Sequence, residues 1–260
     1  MISSPLAEKK QREPNAISIT TKGAGGNMLE TVFKKFHNGC LMVFRRDTDT
    51  VLFLGSAFLV HSGGYLLTVS HILPSEGQLM VVSGETMSNE FTPISQEMVA
   101  SIPVSIVRRN RERDVALLKM EVEIDMSLPD FFLGSAENIP IGSSVMAMGY
   151  AFGHQSLHTL VAMNAVVSAR MISPNNSRLL LFDSMMHDGD RGGPLVGVSE
   201  GVVVGIISGR FDPREAARDI TDDSRTVETN TNISYAVAIE YGLELMEEEG
   251  LLETRTTLGE

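Results

Sequence analysis

The chain has 260 residues but only one cysteine, Cys40, and no tryptophan. A single cysteine cannot form an intramolecular disulfide, and disulfides are typical of secreted proteins, so this composition predicts a reducing, cytoplasmic setting. The first ten residues show no basic segment followed by an apolar run and do not indicate a secretory signal. No uncharged apolar stretch approaches the roughly 18 residues of a membrane span, so no membrane partner is expected.

Basic residues are also scarce. The 21 lysines and arginines face 33 aspartates and glutamates, which gives a formal net charge of −12. Nucleic acids and anionic membranes need a positive protein surface, so this balance disfavours both as partners. Diffuse acidity otherwise favours solubility and identifies no ligand. The length fits one two-lobed domain, or two small ones, with a sizeable core.

Short apolar runs separated by turn residues dominate the middle of the chain. They are rich in valine, isoleucine and leucine, a pattern that predicts strands of an all-β barrel or sandwich. The runs are residues 40–44, 51–60, 65–70, 78–83, 102–107, 114–120, 144–150, 159–168, 178–183 and 201–208.

The flanking segments differ from these runs. Apolar residues at helical spacing predict a short helix at 29–36 on the first barrel and a helix at 237–249 on the second lobe. The polar residues 1–27 are expected to form a mobile arm and residues 211–232 a surface loop. Residues 251–260 form a tail.

One segment carries a chemical signature. Residues 188–195 read Asp-Gly-Asp-Arg-Gly-Gly-Pro-Leu. This resembles the Gly-Asp-Ser-Gly-Gly-Pro-Leu motif of trypsin-like serine proteases, with Arg191 in place of the nucleophilic serine. A guanidinium stays protonated and offers only hydrogen-bond donors, so it cannot attack a carbonyl carbon.

Two earlier segments follow the chain order of that family. Residues 55–60 and 67–71 resemble its Gly-Ser-Gly-Phe strand and its Leu-Thr-Ala-Ala-His segment, and residues 113–119 resemble its Asp-Ile-Ala-Leu-Leu segment. A lone histidine is more often structural, and an aspartate before a strand is more often a turn residue. Their order and flanks favour a catalytic pair instead. The resemblance implies that His71 is the base and that Asp114 is the carboxylate that orients it. The backbone of Gly189 and Arg191 would form the oxyanion hole. The substrate pocket would be lined by Met185, Ser208 and Gly209.

Further segments resemble the HtrA/Deg branch, namely residues 141–150, 166–169 and 233–239. This implies a chymotrypsin-like fold of two orthogonal six-stranded antiparallel β-barrels with a C-terminal helix. The expected peptidase domain covers residues 28–250, and no PDZ domain is expected after it. Asp190 departs from the branch, where asparagine is usual.

The lobes of this domain are expected at about residues 28–138 and 139–236. A protein or peptide is the expected partner, and neither a cofactor nor a metal is implied. The substrate and the oligomeric state stay open.

Arg191 leaves two main hypotheses. The chain is either a serine endopeptidase domain inactivated at one position, or a natural pseudoprotease that binds peptides or acts as a scaffold. His71 and Asp114 both remain, and long disuse tends to erode several catalytic positions, which favours the first. A third hypothesis is a zinc hydrolase using His154 and His158, whose spacing could bind metal on a helix.

Overall fold

The computed structural model describes residues 27–48, 50–84, 91, 100–122, 128–129, 131–212 and 231–252. Almost all of the predicted arm and tail, and most of the predicted 211–232 loop, lie outside the described residues. In the described part of the chain, no helix is both long and apolar enough to cross a membrane.

Twelve strands of the described residues form two closed antiparallel barrels, which confirms the predicted fold class. The first barrel has the strand order β1-β2-β3-β6-β5-β4, and the second β10-β11-β12-β9-β8-β7. The strands are β1 (Cys40–Arg46), β2 (Val51–His61), β3 (Tyr65–Thr68), β4 (Gln78–Ser83), β5 (Ser101–Asn110), β6 (Val115–Met120), β7 (Ser144–Gly149), β8 (Val161–Ile172), β9 (Arg178–Phe182), β10 (Pro194–Gly197), β11 (Val202–Arg210) and β12 (Ser234–Ala238).

Several strands of the first barrel, such as β1, are apolar on both faces because both faces are buried. Successive side chains of a strand point to opposite faces. In β1, Leu41 and Val43 join one apolar cluster inside the first barrel, whereas Met42 and Phe44 join a second cluster that continues through the second barrel. The second cluster therefore packs the two barrels against each other. Because both faces of such strands are buried, their sequences are continuous apolar runs.

Two helices flank the barrels. Helix α1 (Met28–Phe36) buries Val32 and Phe36 in the larger cluster, as the helical spacing predicted. Helix α2 (Glu240–Glu248) lies within the predicted 237–249 and follows β12 directly.

The placement of α2 on the second lobe needs correction, because the helix contacts β5 and β6 of the first barrel as well as β12. A Cβ at Gly242 would lie 2.5 Å from Cδ1 of Leu67, so the glycine permits this close crossing.

Strand pairing brings distant motifs together. Thr68 of β3 lies opposite Ala116 of β6. His71 follows β3 by three residues and Asp114 directly precedes β6, so this register sets them side by side at one end of the first barrel. Arg191 comes shortly before β10 of the second barrel. The predicted site is thereby assembled between the two lobes.

We expect Leu67→Ala to lower the free energy of unfolding by about 2–5 kcal/mol, since Leu67 is fully buried where α2 crosses the first barrel and the truncation leaves a cavity. Ile141→Ala, at a position 62% exposed, should change it by no more than about 0.5 kcal/mol. Urea denaturation followed by circular dichroism measures both. Equal effects of the two substitutions would contradict the packing described for α2.

Candidate active site

His71 and Asp114 form a hydrogen-bonded pair. The ring Nδ1 of His71 lies 2.8 Å from Oδ2 and 3.0 Å from Oδ1 of Asp114, and the backbone N–H of His71 donates to Oδ1 over 2.9 Å. A carboxylate at Nδ1 holds the proton on that nitrogen, which leaves Nε2 as the free acceptor. The pair therefore has the geometry of a general base with its orienting carboxylate.

Asp114 is itself held from the second barrel. Ser208 Oγ of β11 donates to Asp114 Oδ2 over 2.7 Å, and the hydroxyl of Tyr235 lies 3.2 Å from Ser208 Oγ. Asp114 adopts a left-handed backbone with φ of 57°, a conformation that aspartate tolerates better than most residues. The predicted pocket residue Ser208 thus contacts the acid of the pair directly.

Sequence reasoning missed Arg109, which holds the segment that carries His71. Its guanidinium donates to Ser70 Oγ (2.8 Å) and to the carbonyl oxygens of Ser70 (2.7 Å) and Leu73 (2.8 Å). These three acceptors bracket His71 in the chain. An arginine on a strand gives no sequence signal for such a role.

Ser56 of β2 was also missed, and it connects the two barrels beneath the cleft. Its hydroxyl donates to the Gly189 carbonyl over 2.7 Å and accepts from the Tyr150 N–H over 2.9 Å. Its backbone N–H donates to the Arg191 carbonyl over 2.8 Å. Ser56 is fully buried. The loop that carries the motif is thereby fixed to the first barrel.

Two glycines of the motif permit this close approach. A Cβ at Gly189 would lie 2.1 Å from the carbonyl oxygen of Tyr150. Gly192 has a φ of +88°, and a Cβ there would lie 2.0 Å from the carbonyl oxygen of Ser56. Any side chain at either position would collide with backbone, so only glycine fits at these two positions.

Arg191 turns its side chain into the cleft. Its Nη2 lies 2.8 Å from Oδ1 of Asp188, and a Cβ at Gly209 would lie 3.4 Å from its Nε. The guanidinium therefore rests on the strand that was predicted to border the substrate pocket. The Arg191 N–H, one of the two predicted oxyanion donors, points to the Asp188 carbonyl at 3.4 Å. In this conformation the donor is turned into its own loop, and the oxyanion hole stays a prediction.

Asp190 points the opposite way, into the protein. Its Oδ2 accepts from the His187 N–H over 2.8 Å, but in the described part of the chain no donor reaches Oδ1. Burial raises the pKa of this carboxyl to about 6, against the opposing effect of the His187 N–H. Arg191 pairs with Asp188 instead, so the adjacent cation does not neutralise Asp190.

The predicted pocket base, Met185, is 41% exposed. Its neighbour Met186 donates its N–H to Ser234 Oγ over 3.1 Å, and Ser234 pairs with Arg210 of β11. The Met185 segment therefore runs beside the end of β11, and its role in a pocket stays a prediction. A cavity of about 420 Å³ opens nearby, lined in part by Arg113, Asp114, Ser208, Arg210, Phe211 and Tyr235.

His154 and His158 do not come together as metal ligands with a third group. The His154 ring packs edge-on against Phe53 and the His158 ring against Phe44. Among the described residues, no cluster of three or more histidine, cysteine, aspartate or glutamate side chains could hold a metal ion. Nothing in this part of the chain supports the zinc hypothesis.

The family of the chain follows from its similarity to known proteins. Residues 55–206, which include His71, Asp114 and Arg191, match the family described as the trypsin-like peptidase domain. The chain belongs to this family.

Among its curated relatives are several named DegP-like. A probable periplasmic serine endoprotease DegP-like of Pseudomonas fulva is 32% identical over 161 residues, which cover 61% of this chain and 29% of that protein. The magnetosome formation protease MamE of Magnetospirillum gryphiswaldense is 25% identical over 210 residues, 78% of this chain and 25% of MamE. The chain therefore spans less than a third of these relatives.

Solved structures support the fold. The HtrA-type protease AlgW with decapeptide superimposes with a TM-score of 0.63 at 19% identity, over 85% of this chain and 66% of AlgW. At this identity the likeness concerns the fold alone. The chain is thus a member of the trypsin-like peptidase domain family and is similar to DegP-like proteases, as its motifs suggested.

The cytoplasmic location predicted from the sequence is wrong on this comparison, because the DegP-like relatives are named periplasmic. The lack of a disulfide does not identify a compartment when the core is large enough to fold without one. Cys40 is buried, and burial raises the pKa of its thiol to about 12. Such a thiol is unreactive and carries no information about the surrounding redox conditions.

We expect Asp190→Asn to change how stability depends on pH. Because the folded-state pKa of Asp190 is raised from 3.8 to about 6, its contribution is fully present below pH 3.8 and is lost as the pH rises to 6. The stability of the variant relative to the parent should therefore rise by about 3 kcal/mol in total between about pH 3 and pH 7, and stay constant above.

Denaturant unfolding at several pH values measures this difference. Asp188→Asn is the matched control, since that side chain is 68% exposed and its variant should not show this rise. A parallel shift of the Asp190→Asn profile at all pH values would contradict the buried, unpaired carboxyl.

Proposed function

We propose that this chain is a peptide-binding trypsin-like domain that does not hydrolyse peptide bonds. The observation that carries the proposal is the Arg191 side chain, which lies in the cleft against Gly209 and pairs with Asp188. The atom that should attack the scissile carbonyl is missing, and loss of the nucleophile in a triad enzyme costs on the order of 10⁶ in turnover. His71 has a free Nε2 but no hydroxyl at position 191 to activate.

Peptide binding is supported by the edge of β11, which within the described residues pairs with no strand beyond Ile206 on its β10 side. Gly209 and Arg210 pair with β12 on one side. On the other side the pairing with β10 ends at Ile206, and the last hydrogen bond joins the Gly192 N–H to the Ile207 carbonyl. An extended peptide can add to such an edge through main-chain hydrogen bonds. The AlgW structure, which holds a decapeptide, and the endoprotease relatives agree with a peptide ligand.

A second candidate is a protease that one substitution silences. The intact hydrogen bonds among His71, Asp114 and Ser208 favour it, since they have no need to persist in a pure binding module. In this case only the nucleophile is missing, and a serine at position 191 would complete the base, its orienting carboxylate and the nucleophile.

We further propose that the domain covers residues 28–250, with the lobes dividing near residue 138. Strand β6 ends at Met120 and β7 begins at Ser144, so the predicted division falls between the barrels.

We expect the Arg191 protein to be inert toward a fluorophosphonate probe and toward peptide substrates. If the second candidate holds, Arg191→Ser gains probe labelling, whereas Arg191→Ala, which removes the same side chain without adding a hydroxyl, does not. His71→Ala added to the serine variant should abolish the labelling, because the base is lost. Gel fluorescence of the four proteins side by side gives the answer.

Each result has one meaning. An inert serine variant that unfolds at the parent's denaturant concentration supports a pure binding module and refutes the second candidate. Labelling of the Arg191 protein itself would refute the proposed function, since the nucleophile would then be another residue.

We propose that Met185 lines the base of the primary pocket. An active serine variant should then prefer to cleave after apolar residues, because an uncharged, apolar base offers no partner to lysine or arginine. Met185→Asp in the same background should shift the preference toward lysine and arginine. Cleavage of a peptide library analysed by mass spectrometry tests both, and cleavage after basic residues with Met185 in place would count against the assignment.

A further inference from the structure

The guanidinium of Arg191 lies in the cleft, and its ion pair with an exposed aspartate is weak. The side chain of its ion-pair partner, Asp188, is 68% exposed, and the Arg191 side chain is 35% exposed. Ion pairs between exposed groups stabilise a protein by only about 0–1 kcal/mol, so this pair opens readily. A guanidinium presents five N–H donors in a planar fork that fits a carboxylate with two parallel hydrogen bonds. Arg191 therefore remains able to bind a second carboxylate.

The Asp188 contact also identifies the chemistry that fits there. Asp188 Oδ1 reaches Nη2 at 2.8 Å, so a carboxylate can approach the guanidinium where it rests on Gly209. In the free protein, Asp188 occupies the place that a carboxylate ligand would take.

The location of this cation favours the end of a peptide chain. The guanidinium lies at Gly209, beside the open edge of β11 to which a peptide would add. The Arg191 backbone is fixed through its carbonyl by the Ser56 N–H, so the side chain extends from a rigid base. A chain that passed straight through would have to displace this side chain, whereas a chain that ends there brings its own carboxylate to it.

We propose that the cleft binds the C-terminal carboxylate of a peptide, with Arg191 as its receptor. The proposal rests on the proposed function, since it names the ligand of the same peptide-binding edge. An aspartate or glutamate side chain offers the same group, but it orders additional rotatable bonds on binding. The terminal carboxylate is attached directly to the main chain that pairs with β11, so it is the group that we assign to Arg191.

The test uses an array of decapeptides anchored by their N-termini, with free C-termini. The ten strongest binders are then made in solution with a fluorescein label, each as a free acid and as a C-terminal amide, and titrated by fluorescence anisotropy. We expect amidation to weaken binding at least tenfold on average, because it removes the charge and one acceptor oxygen. Amidated peptides that end in aspartate or glutamate should bind no better than other amides.

Three variants isolate the role of Arg191. Arg191→Gln should bind free acids and amides equally, whereas Arg191→Lys, which keeps the charge without the fork, should retain part of the difference. Asp188→Asn removes the competing carboxylate and should tighten free-acid binding about threefold without affecting amides. Arg46→Gln, an exposed arginine at the end of β1, is the control for net charge and should change neither.

The outcomes separate this inference from the proposed function. Equal binding of free acids and amides by the parent protein would overturn the inference and leave a peptide-binding domain intact. Strong binding of amidated peptides that end in acidic residues would assign the carboxylate to a side chain and also overturn it. If neither the parent nor any correctly folded variant binds peptides on the array or in solution, the proposed function fails with it.

Discussion

The hydrogen bonds of Ser56 hold the two halves of the site together. One buried serine on the first barrel binds the carbonyls of Gly189 and Arg191 and the N–H of Tyr150, all on the second barrel. Buried polar groups stabilise a fold when every one of them is paired, and an unpaired one costs about 1–3 kcal/mol. The cleft can therefore not change its shape at the motif loop without breaking several of these bonds at once.

This constraint explains why an arginine is accommodated at the nucleophile position. The loop is fixed through backbone atoms and through glycines that allow backbone to meet backbone, as at Gly192. None of these contacts depends on the side chain at position 191. Arg191 therefore places a cation where the family motif has a hydroxyl, while His71 and Asp114 are hydrogen-bonded to each other.

The sequence predicted the barrels because apolar strands separated by turns leave a local pattern. The strands missed among the apolar runs were β10 (Pro194–Gly197) and β12 (Ser234–Ala238), which are short and lie within a glycine motif and before a helix. Ser56 and Arg109 were missed as positioning residues for a different reason. Their partners lie 133 and 39 residues away in the chain, and no local pattern encodes such contacts. The predicted cytoplasmic location was wrong because one buried cysteine says little about the compartment of a protein.

Asp190 and Arg191 show how adjacent residues with opposite charges can fail to neutralise each other. The short 3-10 turn at Asp188–Asp190 sends the Asp190 carboxyl inward and leaves Arg191 to extend into the cleft. The interior thus holds an acid whose pKa is raised by burial to about 6. The cleft keeps a cation whose described partner is an exposed aspartate. This arrangement of charges places a positive group at the edge of β11, where we propose that a peptide binds.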